Sequence, residues 1–117
     1  MLRTILLAAC LALPALTASA QRSGTYAVEG QTASGQGYQG SLTLAASGPQ
    51  SWIVTWRVGN TTARGVGLMV KGMLVVGYVS DSETGVVAYE AMPDGRLAGR
   101  WTQGREGGVG TETLSPR

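Results

Sequence analysis

Residues Met73–Trp101 read MLVVGYVSDSETGVVAYEAMPDGRLAGRW, and this stretch decides the fold. Three apolar runs, Met73–Val79, Val86–Met92 and Leu97–Trp101, are cut by Ser80–Gly85 and by Pro93-Asp94-Gly95. Proline presets φ for the first corner of a turn, and glycine supplies the positive φ that closes it. Strand, turn, strand, turn, strand is an antiparallel meander.

The same rhythm extends in both directions. Tyr38–Leu44 alternates, with Tyr38, Gly40, Leu42 and Leu44 on one face. Trp52, Val54, Trp56 and Val58 share a face of the next segment, against Ile53, Thr55 and Arg57 on the other. A period of two over that length is the mark of a half-buried strand. Thr25–Glu29 precedes them, and Thr102 and Val109–Leu114 close the series. Thr62–Val70 completes the set, but Gly65 and Gly67 interrupt it and leave its inward face open; strand glycines mark bends, bulges or close backbone approach. Eight short strands joined by short connections, with no capped helical period, predict an all-β chain. The expected architecture is a small eight-stranded antiparallel up-and-down barrel, closed to remove its edges. An echo between Tyr38-Gln39-Gly40-Ser41-Leu42 and Leu97-Ala98-Gly99-Arg100-Trp101 raises a repeated hairpin as a further expectation.

The first twenty residues read differently. Arg3 supplies a basic start, Ile5–Leu16 an apolar run, and Ala18-Ser19-Ala20 a small-residue cleavage site. This is the pattern of a secretory signal peptide, too short for a membrane span. The expected division is residues 1–20 as signal and 21–117 as one barrel domain, exported to the periplasm or secreted. Removing 20 of 117 residues leaves 97. Leu7-Ala8-Ala9-Cys10 resembles a lipobox, but the apolar run continues past Cys10, so cleavage after Ala20 is preferred. Cleavage there leaves no cysteine, so no disulfide supports the domain.

Without Arg3 the balance is 8 basic against 7 acidic residues, too even for a nucleic-acid or membrane footprint. The chain has no histidine. Histidine-based catalytic triads and His/Cys zinc sites are therefore excluded. No catalytic residue, metal or cofactor is assigned. Glu29, Glu90 and Glu112 fall on expected strands, and a facing pair among them would suit glycoside chemistry; solvated strand faces are the preferred reading. Asp81-Ser82-Glu83 falls short of a calcium loop. Gly65-Val66-Gly67 and Gly107-Gly108-Val109-Gly110 lack the lysine and helix of a phosphate loop.

The aromatic residues are four tyrosines and three tryptophans. Eight strands enclose an interior that side chains just fill, so core filling is expected ahead of a ligand cavity. If a cavity exists, Tyr38, Trp52, Trp56, Tyr89 and Trp101 are its expected lining, with Tyr38 and Trp101 the first rings to turn inward. Arg57, Arg64 and Arg100 are the expected contacts for a protein partner, since arginine anchors such interfaces.

Two resemblances follow from these motifs. Gly24-Thr25-Tyr26, Gly37-Tyr38-Gln39-Gly40 and Gly99-Arg100-Trp101 resemble avidin- and lipocalin-type small barrels in topology. The set Gly24–Gly30, Tyr38-Gln39-Gly40, Gly85–Tyr89, Asp94–Trp101 and Gly110–Leu114 resembles a family of short exported alphaproteobacterial proteins, some labelled fibronectin-binding. That resemblance implies an envelope or surface protein and suggests a host-matrix or envelope protein as its partner. The leading expectation is a non-enzymatic binding or structural module of the bacterial envelope with a protein partner. A barrel carrying an apolar small molecule is the alternative. Homodimerisation stays open, and an outer-membrane barrel is disfavoured by short loops and the lack of an aromatic girdle.

Overall fold

The computed structural model describes residues 23–117. The expected signal peptide, its expected cleavage site and Cys10 lie outside the described residues. Within them the chain forms eight strands: β1 Gly24–Gln31, β2 Gly37–Ala46, β3 Ser51–Val58, β4 Thr61–Val70, β5 Met73–Ser80, β6 Glu83–Ala91, β7 Leu97–Gln103 and β8 Gly110–Pro116. Each pairs antiparallel with its neighbour, and β8 pairs with β1 to close the barrel. No helix occurs among the described residues.

The turns explain the order. Pro93-Asp94-Gly95 sits in a loop closed by Met92 N–H donating to Arg96 O at 2.8 Å, with Gly95 at φ 91°. Thr32–Gln36 is built alike, with Gly35 at φ 92°. The β5–β6 connection is shorter than the sequence suggests: Asp81 and Ser82 alone make it, at φ 48° and 72°. Two left-handed residues in succession form the tight hairpin turn whose twist suits paired strands.

Alternation then sorts the side chains. Tyr26, Val28, Leu42, Leu44, Val54, Leu74, Val76, Val87, Leu97 and Leu114 are buried inside. β4 resolves its ambiguity against simple hydrophobicity: Ala63, Gly65, Gly67 and Met69 face inward, while Val66 and Leu68 are 65% and 58% exposed. Gly65 and Gly67 are neither turn nor bulge; the β4 ladder runs through them without a break. A side chain at Gly65 would press on the backbone and side chains of β5, so close approach is their role. With Ile53, Val79 and Val86, Val66, Leu68 and Val70 of β4 put apolar side chains on the outside of β3–β6, beside Arg57 and Arg64. The outside of β7, β8, β1 and β2 carries Arg100, Thr111, Thr113, Thr25, Glu29, Gln39 and Thr43 instead. The echoing segments lie on β2 and β7, which run in opposite directions along the barrel.

The two ends differ. The β2–β3, β4–β5 and β6–β7 turns and both chain ends lie at one end, which large apolar side chains fill, Tyr26, Leu44, Trp52, Leu74, Leu97 and Leu114 among them. The other end carries the β1–β2, β3–β4, β5–β6 and β7–β8 turns, and there the interior is open. The barrel is thus core-filled over one half and hollow over the other.

Candidate functional site

The hollow half is a cavity of about 430 Å³. That volume falls within the range of small-molecule sites. Its lining is organised by one row of paired residues running across five strands. Tyr38 on β2 lies opposite Gly30 on β1, Gly30 opposite Glu112 on β8, Glu112 opposite Gly99 on β7, and Gly99 opposite Tyr89 on β6. The two glycines leave the space over which both tyrosine rings lean. A Cβ at Gly30 would collide with Tyr38 Cζ, and one at Gly99 would come within 2.6 Å of Tyr89 Cδ1. Both rings therefore reach the carboxylate: Tyr38 O–H donates to Glu112 Oε1 at 2.8 Å, and Tyr89 O–H donates to Glu112 Oε2.

Trp56 reaches the same group from β3. Its Nε1–H donates to Glu112 Oε2 at 3.0 Å and lies 3.3 Å from the Tyr89 hydroxyl. Glu112 thus has three donors and is 6% exposed. A donor-only environment is the one an ionised carboxylate requires. No lysine or arginine among the described residues pairs with it; the ion pair Arg96–Asp94 is in the β6–β7 turn, at the opposite end.

The same device appears once more at the mouth. Tyr78 on β5 lies opposite Gly85 on β6, and Gly85 opposite Gln103 on β7; Tyr78 O–H donates to Gln103 Oε1 at 3.0 Å. The rings also touch each other. Trp56 and Tyr78 have centroids 5.1 Å apart, and Tyr38 meets Trp101 edge-on at 6.2 Å. Trp101 Nε1–H donates to the Thr111 carbonyl at 3.3 Å.

The electrostatics follow from this geometry. Burial first, and then the Glu112 charge, push Tyr38 and Tyr89 well above the usual phenol range. Tyr78 is pushed up to about 12 by burial, then by Glu112 and Glu83. The tyrosines therefore stay neutral donors throughout the physiological range.

Of the rings named from sequence, Tyr38, Trp56, Tyr89 and Trp101 line this cavity. Trp52 does not. It shares a strand face with Trp56 but lies four residues nearer the filled end, buried, its Nε1 without a partner among the described residues. Tyr78, Gln103 and Glu112 belong to the site and were not singled out as ligand-binding residues. Glu29 and Glu90 are exposed on the outer face, so they form no carboxylate pair with Glu112. Arg57 and Arg64 are exposed on β3 and β4, while Arg100 is on β7 across the barrel; the three do not converge.

No protein-family model matches the chain. No curated protein matches it either. Solved structures do. A redesigned β-barrel aligns with TM-score 0.72 at 16% identity, covering 81% of this chain and 90% of its own. A second redesigned barrel, mFAP1 bound to DFHBI, aligns with TM-score 0.68 at 17% identity over 80% of this chain and 93% of its own. A third, mFAP0, also bound to DFHBI, gives 0.66 at 18%, over 80% and 96%. At these identities the likeness establishes the fold: this chain is similar in architecture to barrels built by design.

Proposed function

We propose that the protein is a binding protein that takes a small, largely aromatic or apolar molecule into the hollow half of its barrel. The observation that carries this reading is the cavity itself: about 430 Å³ of space, walled by rings and reached from the open end, beside a buried polar cluster. A concave apolar site with few convergent polar groups is the usual form of a small-molecule site. Two barrels of similar fold hold DFHBI, which supports the reading by analogy of shape alone. The protein partner expected from the sequence has weaker support, since its three arginines divide between opposite walls.

Tryptophan emission tests the proposal, because Trp56 and Trp101 line the cavity. Titration with a panel of small aromatic molecules, DFHBI among them, should give a saturable change with one ligand per barrel. Ala63→Phe places a ring in the cavity from β4 and should abolish that change while the far-ultraviolet spectrum stays β. Absence of saturable binding across the panel, or binding undisturbed by the filled cavity, would end the proposal.

A further inference from the structure

The charge inside the barrel is one-sided. Glu112 is buried at the floor of the cavity and Asp81 stands at its mouth; no basic residue lines it. A buried carboxylate without a cationic partner is costly, and three neutral donors offset that cost without cancelling the charge. Around it, Tyr38, Trp56, Tyr78 and Trp101 turn aromatic rings toward one space. Ring faces carry negative quadrupole potential, and several of them together attract a weakly hydrated cation.

We propose that the ligand of this cavity is an organic cation, an ammonium group on an apolar body, held by the ring faces with Glu112 as its counter-charge. This rests on the small-molecule reading above and names the chemistry of the molecule. A metal ion does not suit the donors: no group of three metal-ligating side chains occurs among the described residues, and three N–H and O–H donors already occupy the carboxylate. Anions meet the wrong field. An alkylated ammonium is favoured because its hydration is weak, so entering the cavity sacrifices little.

The experiment compares three probes of similar shape by isothermal titration calorimetry on the purified protein: phenyltrimethylammonium, neutral tert-butylbenzene and anionic 4-tert-butylbenzoate. The cation should bind at least about tenfold more tightly than the neutral probe, a difference within reach of desolvated cation–ring contact, and the anion weakest of all. Glu112→Gln should shrink the cation-to-neutral ratio. Neutral binding as tight as cationic binding, or a preference for the anion, overturns the cation assignment and leaves the small-molecule reading standing. Failure of all three probes removes both. Should Glu112→Gln not fold, the ratio measured on the unmodified protein decides.

Discussion

Trp56 and Trp52 stand on the same face of one strand, yet their indoles do different things. Trp56 Nε1–H is one of three donors to a buried carboxylate, whereas Trp52 Nε1–H has no partner among the described residues. Phenylalanine at either position removes a similar volume, so the difference between the two substitutions isolates the hydrogen bond. Trp56→Phe should cost about 1–3 kcal/mol, the range for leaving a buried charged group short of a donor. Trp52→Phe should cost distinctly less, because it also removes an unsatisfied donor. Urea denaturation of the two variants measures the gap; equal losses would show that the indole bond to Glu112 contributes nothing. Glu112 itself illustrates why this site is hidden in the sequence. On its own strand it reads as one more polar residue among threonines. Its donors are 74, 56 and 23 residues away, and no local pattern joins them.

Between strands, the device is a ring leaning over a glycine toward an acceptor one strand further on. It occurs as Tyr38–Gly30–Glu112, Tyr89–Gly99–Glu112 and Tyr78–Gly85–Gln103. Glycine inside a strand ordinarily costs about 0.5–1 kcal/mol relative to alanine. Here the sign depends on the ring. Gly99→Ala meets Tyr89 at 2.6 Å and should destabilise by about 1–3 kcal/mol, the usual cost of overpacking. Gly77→Ala on β5 meets nothing within 4 Å and should be neutral or stabilising by up to about 1 kcal/mol. Thermal melts of the pair are the check, and two substitutions with the same sign would contradict the role given to the glycines. The existence and order of the strands were legible from turn residues and alternation, because both are local, although Ser80 and Glu83–Gly85 read as turn and belong to β5 and β6. The inward face of β4 was not, since Gly65 and Gly67 are placed there by what β5 presents rather than by their own apolarity.

At the scale of the molecule, closure and filling are separate outcomes. Eight strands and short hairpins foretold the closed barrel, and side-chain volume alone suggested a full interior. The interior is full only where leucines and Trp52 meet; the opposite half holds rings braced on glycines, and the space between them is the cavity. Alternation placed Tyr38, Trp52 and Trp56 on strand faces but could not say how far along the axis each lies, which is why Trp52 was grouped with the cavity rings. The braced half also sets an alkaline limit to the fold. Tyr78, with an ordinary value of 10.0, is held at about 12, and Tyr38 and Tyr89 are raised as well. A raised phenol stabilises the folded state fully below pH about 10, where the unfolded chain also keeps its protons. That contribution is lost as pH climbs through the folded-state values. Stability should therefore decline from pH about 10 toward 12 and beyond, with tyrosinate absorbance from these three appearing as near-ultraviolet dichroism disappears. Their full ionisation near pH 10 in an intact barrel would refute the bracing. The strand that starts the barrel and the strand that finishes it both reach solvent at the packed base, beside the β2–β3 turn. A support joined through the start of β1 or the end of β8 consequently attaches at the base, on the side away from the entrance.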